Sequence, residues 1–112
     1  MCGIAGFINR NAPAEPAWLK RMLRAISHRG PDALSGITEG GAALGAARLS
    51  IVDLEGGAQP AYTADRQVIV VFNGEIFNYM ALRKDLLANG HRFETRSEVE
   101  TLLKLYLLIW QE

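Results

Sequence analysis

The most informative stretch of this chain is its start, Met1-Cys2-Gly3-Ile4-Ala5-Gly6-Phe7-Ile8-Asn9, where a cysteine stands directly before a short apolar run. The segment from Cys2 to Asn9 ends in polar residues, which predicts a first β-strand. Cys2 is the single cysteine among 112 residues, so no internal disulfide can form. Most lone cysteines are small buried hydrophobes, but the position next to Met1 gives this one a second interpretation.

Removal of Met1, which is common before a small residue, would leave Cys2 with a thiol and a primary α-amine on the same residue. The reference pKa is about 8.5 for the thiol and about 7.7–8.0 for the amine, so the amine is partly unprotonated near neutral pH. It can then accept the proton of its own thiol, directly or through one water. A cysteine hydrolase built in this way needs no dedicated histidine.

Composition excludes several classes of function. Lys plus Arg and Asp plus Glu both number 12, so the chain gives no electrostatic case for a nucleic-acid or anionic-membrane partner. The first ten residues lack the order of a signal peptide, and the most apolar run, Leu102 to Trp110, is too short to span a bilayer. We therefore expect a cytoplasmic protein whose sites are small and specific.

The first half of the chain predicts one helix between two strand segments. Proline is tolerated at the first helical position, and apolar residues recur at helical spacing from Pro16 to about Ser27. His28 to Asp32 is a loop punctuated by Gly and Pro. Gly41 to Asp53 predicts small-residue strand structure that ends in an exposed polar stretch, and Glu55 to Pro60 predicts a second loop.

The second half begins with the strongest strand signal. Gln67 to Phe72 is β-branched and apolar on both faces, which predicts a strand in the centre of a sheet, and Asn73-Gly74 predicts a tight turn after it. Asn78 can cap a helix that ends before Gly90. His91 to Thr95 predicts a short strand.

The last helix carries the most apolar surface. Ser97 and Glu100 form an S-x-x-E capping box for a helix over Glu98 to Gln111. This helix is apolar almost all round, so we expect it to be buried on several sides. Because only Glu112 follows, we also expect a domain that is cut short.

Acyl transfer at a cysteine needs hydrogen-bond donors aimed at the developing oxyanion. Asn73-Gly74 can supply two donors, the Asn side-chain amide and the Gly backbone N–H. The same dipeptide is the commonest hairpin signal, and the pattern by itself favours the turn.

Arg48 and Glu98 are candidate binding residues. The Arg48 guanidinium could bind a substrate carboxylate through two parallel hydrogen bonds; the alternative is a surface arginine or a structural ion pair. Glu98 could receive a substrate ammonium; the alternative is that it complements the helix dipole. His28 and His91 have no metal-ligand cluster around them and receive neither a metal nor a catalytic role.

Taken together, the motifs resemble the class II glutamine amidotransferases, and within them the asparagine synthetase branch. The matching stretches are Met1–Gly6, His28–Asp32, Ala47–Asp53, Gly57–Pro60, Val71–Tyr79, Gly90–Thr95 and Ser97–Glu100. They occur in family order over nearly the whole chain. The stretches His28–Asp32 and Arg48–Asp53 have the asparagine synthetase form, in contrast to relatives that make aminosugar phosphates or phosphoribosylamine.

The resemblance implies an α+β N-terminal nucleophile (Ntn) hydrolase fold, a four-layer αββα sandwich that is incomplete at the C-terminus. It also implies that Cys2 attacks the side-chain amide of glutamine, forms a glutamyl thioester and releases ammonia. Asn73 and Gly74 match the oxyanion hole, and Arg48 matches the residue that binds the glutamine carboxylate. The remaining matches to glutamine-binding positions are Leu49, Ser50, Ile51, Val52, Glu75 and Glu98. At the last of these, the ammonium site, the family usually has aspartate.

The resemblance further implies a larger parent protein. Residues 1–112 would be the N-terminal portion of a glutaminase domain, without its last strands and without the synthetase domain. No cofactor is expected in this chain, whereas ATP and Mg would serve the missing synthetase domain in amidating aspartate. A homodimer is left open. The alternatives are a truncated, catalytically inactive fragment, and a relative that amidates an acceptor other than aspartate. We expect isolated residues 1–112 to be poorly soluble and to show little glutaminase activity.

Overall fold

The computed structural model describes residues 2–48 and 59–110. In chain order these residues form β1 (Gly3–Ile8), α1 (Pro16–Ala25), a 3₁₀ turn (Ser27–Arg29), β2 (Ala33–Glu39), β3 (Ala42–Arg48), β4 (Ala61–Tyr62), β5 (Ile69–Val70), α2 (Tyr79–Ala88) and α3 (Glu98–Trp110). The architecture is α+β with antiparallel sheets, one of three strands and one of two.

The three-stranded sheet has the order β1-β3-β2. A hairpin joins β2 to β3 through Gly40 and Gly41, and Gly40 has a φ of +56° that glycine adopts without strain. The sequence patterns predicted β1 and β3 but missed β2. The Gly40-Gly41 pair was the available signal, because two glycines between short segments are typical of a hairpin turn.

Helix α1 covers one face of this sheet through Leu19 and Leu23, which are both 4% exposed. A Cβ added at Gly45 of β3 would lie 2.8 Å from the Leu23 side chain, and one at Gly36 of β2 would lie 2.5 Å from Leu19. The small residues of the two strands therefore let the helix approach closely. The predicted helix begins at Pro16 as expected and ends at Ala25, just before the 3₁₀ turn.

The expected strand over Gln67 to Phe72 is confirmed only at its middle. Only Ile69–Val70 is a strand, and among the described residues it pairs with β4 alone. Beyond Val70, the backbone N–H and C=O of Phe72 are bonded by the side chain of Gln59 instead of a neighbouring strand. Over residues 2–48 and 59–110, strand pairing of this segment therefore stops at Val70, since the apolar composition of a segment does not specify its hydrogen-bond partners.

The β4–β5 turn is held by side chains of its own. The Thr63 hydroxyl donates to the Asp65 carboxylate at 2.6 Å, and the Gln67 N–H donates to the same oxygen at 3.0 Å. The Thr63 contact first, and the Gln67 contact second, lower the pKa of Asp65 below its ordinary value.

Helix α2 ends in a complete Schellman motif. The His91 N–H bonds the Leu86 carbonyl, the Gly90 N–H bonds the Leu87 carbonyl, and Gly90 has a φ of +89°. The predicted role of Gly90 is thus confirmed. Asn78 stands at the N-cap, but its side chain makes no capping bond within the described part of the chain.

The predicted strand over His91 to Thr95 is wrong, since the structure has no strand there. The backbone donors of this segment are used by the ends of two helices. His91 completes the cap of α2, while the N–H groups of Glu94 and Thr95 donate to the Glu100 carboxylate at 2.9 and 2.7 Å.

Helix α3 confirms half of the capping box, because the Glu100 N–H donates to Ser97 Oγ at 3.2 Å. Its burial also differs along its length. Val99, Thr101 and Leu103 are at most 4% exposed, whereas Ile109 and Trp110 are 66% and 71% exposed. The expectation that the whole helix is buried on several sides is wrong for its C-terminal half within the described residues.

Candidate active site

Cys2 and Arg48 lie at the same end of the three-stranded sheet. Cys2 is half-buried directly before β1, and Arg48 is the half-buried last residue of β3. The antiparallel register pairs Gly3 with Ala47, so its continuation by one residue sets Cys2 opposite Arg48. Opposed residues in such a ladder have Cα atoms roughly 4.5–5.5 Å apart. The sheet therefore brings a thiol and a guanidinium-bearing residue together.

The loop between α1 and β2 supports this end of the sheet. The Arg29 Nε donates to the backbone carbonyl of Cys2 at 3.2 Å. The Asp32 N–H donates to the carbonyl of Arg48 at 3.0 Å. The sequence patterns gave residues 28–32 as a polar loop and did not predict these two contacts.

Gly30 explains why this loop can lie so close to β3. A Cβ at Gly30 would lie 2.2 Å from the Ala47 carbonyl oxygen and 2.5 Å from the Arg48 nitrogen. These atoms belong to a central strand and cannot move independently. The position therefore admits glycine because of a close backbone approach.

A second group of predicted residues follows β5. Asn73, Gly74 and Glu75 are exposed, in the segment that leads into α2. Val71, two residues before Asn73, lines an apolar cavity together with Ile4–Ile8 of β1 and Ala42–Leu44 of β3. The segment that carries the predicted oxyanion donors thus starts against the sheet that carries Cys2.

Glu98 is tied to this second group. It is the half-buried first residue of α3, and its Oε2 accepts a hydrogen bond from the Ile76 N–H at 2.8 Å. Its place in the first turn also suits the helix dipole, which was the alternative interpretation. The carboxylate therefore bridges the start of α3 and the residue after Glu75.

Of the remaining residues named from sequence, some lie outside the described residues and two are the histidines. Leu49, Ser50, Ile51 and Val52 lie outside the described residues, as does Met1. His28 is exposed in the 3₁₀ turn, and His91 belongs to the cap of α2. Over 2–48 and 59–110, no three His, Cys, Asp or Glu side chains could jointly hold a metal ion, and no helix has the length and apolarity to cross a membrane.

Three contributors were missed from sequence: Arg29, Gly30 and Gln59. Each of the three lies in one of the motifs quoted above, but the spacing of the motifs along the chain does not predict which residue each of them contacts. With them, the described residues place Cys2 and Arg48 at one end of the sheet, and the Glu98 carboxylate beside the segment that carries Asn73 and Gly74. The predicted tight turn at Asn73-Gly74 is wrong, since only Gly74 is a bend and the turn lies at Phe77 and Asn78. This set suits nucleophilic attack on an amide whose other end carries opposite charges.

The sequence is similar to known proteins over nearly its whole length. The sequence profile of the glutamine amidotransferase domain matches residues 1–111. The chain is 41% identical over 110 residues to glutamine-hydrolysing asparagine synthetase 1 of Bacillus subtilis (strain 168), which is 95% of this chain and 17% of that protein. It is 37% identical over 108 residues to asparagine synthetase B of Escherichia coli (strain K12), 95% of this chain and 19% of that protein. The chain thus spans less than a fifth of the length of these two relatives.

Proposed function

Because the chain belongs to the glutamine amidotransferase domain family, we propose that it is the glutaminase part of a glutamine-dependent asparagine synthetase. Its relatives with 37–41% identity bear the names of glutamine-hydrolysing asparagine synthetases. The observation that most supports the proposal is the position of Cys2, which follows Met1 in sequence and directly precedes β1, at the end of the sheet where Gly3 pairs with Ala47 and Arg48 ends β3.

Cys2 is the nucleophile of the proposed reaction. After loss of Met1, its α-amine accepts the thiol proton, and the sulfur attacks the carbonyl carbon of the glutamine side-chain amide. When the tetrahedral intermediate collapses, the C–N bond breaks and the proton leaves with the nitrogen as ammonia. Water then hydrolyses the glutamyl thioester to glutamate and restores the thiol.

The remaining site residues have binding roles in this proposal. The Asn73 amide and the Gly74 N–H stabilise the oxyanion, and the Arg48 guanidinium binds the glutamine carboxylate. Glu98 receives the glutamine ammonium. Leu49, Ser50, Ile51, Val52 and Glu75 complete the glutamine-binding surface.

We also propose the wider assembly. Residues 1–112 are the N-terminal portion of an Ntn hydrolase domain with the four-layer αββα sandwich, covalently linked to a synthetase domain in a cytoplasmic parent enzyme. There, ATP and Mg activate a carboxylate acceptor, aspartate, for the ammonia. The homodimer that the sequence left open stays a prediction for the parent enzyme. The length of the relatives, of which this chain spans 17% and 19%, supports the linked domain.

The test is intact-mass analysis after incubation with 6-diazo-5-oxo-norleucine, a glutamine-analogue electrophile, with Cys2→Ala as control. We expect loss of Met1 and a single adduct that the control lacks. A folded, Met1-processed protein that stays unlabelled would contradict the proposal. An adduct that persists in Cys2→Ala would also contradict it, since Cys2 would not be the nucleophile.

A further inference from the structure

Gln59 bonds both backbone polar groups of one distant residue. Its Nε2 donates to the Phe72 carbonyl at 2.9 Å, and its Oε1 accepts from the Phe72 N–H at 2.7 Å. A side-chain amide carries a donor and an acceptor side by side, so it can pair with an extended residue as a neighbouring strand would. This pairing takes over where the β4–β5 ladder ends at Val70.

While the Gln59 side chain bonds Phe72, the Gln59 backbone is held by the three-stranded sheet. Its carbonyl oxygen accepts a hydrogen bond from the Ser35 hydroxyl of β2. Gln59 therefore connects the three-stranded sheet, which carries Cys2, to Phe72. Both Gln59 and Phe72 are half-buried, so these bonds are partly shielded from water.

Phe72 directly precedes Asn73 and Gly74. Its ring also lies against Gly74, where an added Cβ would be 3.2 Å from the ring Cζ. After Asn73, Gly74 and Glu75, the Ile76 N–H donates a hydrogen bond to the Glu98 carboxylate at 2.8 Å. The stretch from Asn73 to Glu75 is thus held at both ends by side chains from distant parts of the chain.

We propose that Gln59 is a positioning residue for glutamine hydrolysis: it sets the backbone from which Asn73 and Gly74 aim their donors at the oxyanion. This inference rests on the proposed glutaminase function. Oxyanion donors act at about 2.7–3.1 Å from the charged oxygen, and a misplacement of about 1 Å can lower a rate by roughly a hundredfold. Loss of the Gln59 pairing should therefore reduce kcat and leave glutamine binding nearly unchanged.

The test compares two variants of similar size. Gln59→Leu removes both bonds, while Gln59→Glu keeps an acceptor for the Phe72 N–H and places a carboxylate oxygen against the Phe72 carbonyl. Gln67→Leu is the matched control, because Gln67 is exposed and its backbone N–H, not its side chain, bonds Asp65. Three readouts are taken for each: kcat and KM for glutamine hydrolysis, amide hydrogen exchange at Phe72, and the thermal midpoint.

We expect kcat to fall roughly tenfold or more in Gln59→Leu with KM within about twofold, since each lost hydrogen bond is worth a fewfold change. Exchange at Phe72 should accelerate by a similar factor, and Gln59→Glu should be intermediate. A folded Gln59→Leu with unchanged kcat, or unchanged exchange at Phe72, would overturn the proposal. The assays use the full-length parent enzyme, since residues 1–112 are proposed to be only part of its glutaminase domain. If the unmodified enzyme does not hydrolyse glutamine at all, the proposed function fails, while the exchange comparison still decides whether Gln59 fixes Phe72.

Discussion

The Arg29 Nε donates a hydrogen bond to the backbone carbonyl of Cys2 at 3.2 Å, across 27 positions of sequence. Arg29 ends the 3₁₀ turn after α1, and its side chain passes over Gly3, where an added Cβ would lie 3.3 Å from the Arg29 Cδ. The contact holds the proposed nucleophile through its backbone carbonyl.

We predict that Arg29→Met slows the reaction of Cys2 without unfolding the protein. Methionine has a methyl group where Arg29 has its Nε, so it cannot donate to the Cys2 carbonyl, and the lost bond is worth about 1 kcal/mol, or roughly a fivefold change in rate. The measurement is the labelling rate with 6-diazo-5-oxo-norleucine. Arg21→Met, an exposed change on α1, is the control; equal rates in the two variants would mean that the contact has no part in catalysis.

Gly30→Ala should be strongly destabilising. The new Cβ would meet the Ala47 carbonyl oxygen at 2.2 Å in the central strand, and overpacking of this kind costs about 1–3 kcal/mol. Urea unfolding gives the free energy directly. Gly40→Asn is the matched control, because nothing lies within 4 Å of a Cβ there and asparagine tolerates its φ of +56°. A Gly30→Ala variant as stable as the control would refute the close approach.

Glu98→Gln should separate the two roles of Glu98. The amide oxygen can still accept from the Ile76 N–H, so the fold should survive, whereas the charge proposed to bind the glutamine ammonium is lost. A charge-assisted hydrogen bond is worth about 1.5–3 kcal/mol, so KM for glutamine should rise roughly tenfold to a hundredfold. Steady-state glutamine hydrolysis measures this.

Glu100→Gln is the control for the Glu98 variant. Its carboxylate accepts from the Glu94 N–H, the Thr95 N–H and the Thr95 hydroxyl, all in the segment before α3. We expect lower thermal stability with an unchanged KM. If both variants raise KM alike, Glu98 acts by holding α3 in place rather than by binding the ammonium.

Gly90→Ala tests the end of α2. An L-residue at its φ of +89° is strained, at a cost of about 1–2 kcal/mol. Gly90→Asn should cost less, because asparagine enters this region more readily. Chemical denaturation gives the free energy of unfolding of both variants. If Gly90→Asn were the less stable of the two, side-chain contacts rather than backbone conformation would determine the stability of this helix end.

Local signals were sufficient for several elements of this protein. Pro16 marked the start of α1, Gly90 marked the end of α2, and Ser97 marked the start of α3. Each of these depends on bonds within a few residues, which a linear pattern contains. The hairpin at Gly40-Gly41 also depends on neighbouring residues, so its glycine pair is a local signal for the turn between β2 and β3.

Predictions that depended on distant partners were wrong or incomplete. The apolar segment Gln67 to Phe72 suggested a central strand, but the side chain of Gln59 occupies the backbone groups of Phe72. The segment His91 to Thr95 suggested a strand, but Glu100 and the cap of α2 take its donors. Composition describes what a segment can bury and not which groups it bonds.

The sequence by itself determined the family motifs, the unique Cys2 next to Met1, the starts of α1 and α3, and the end of α2. Only the tertiary structure decided that Arg29 holds Cys2, that Gln59 holds Phe72 and that Glu98 holds Ile76. These bonds join residues 27, 13 and 22 positions apart. The physical reason is that helix caps and turns satisfy backbone groups over three to five positions, whereas these anchors form only after the sheet and helices have brought remote segments together.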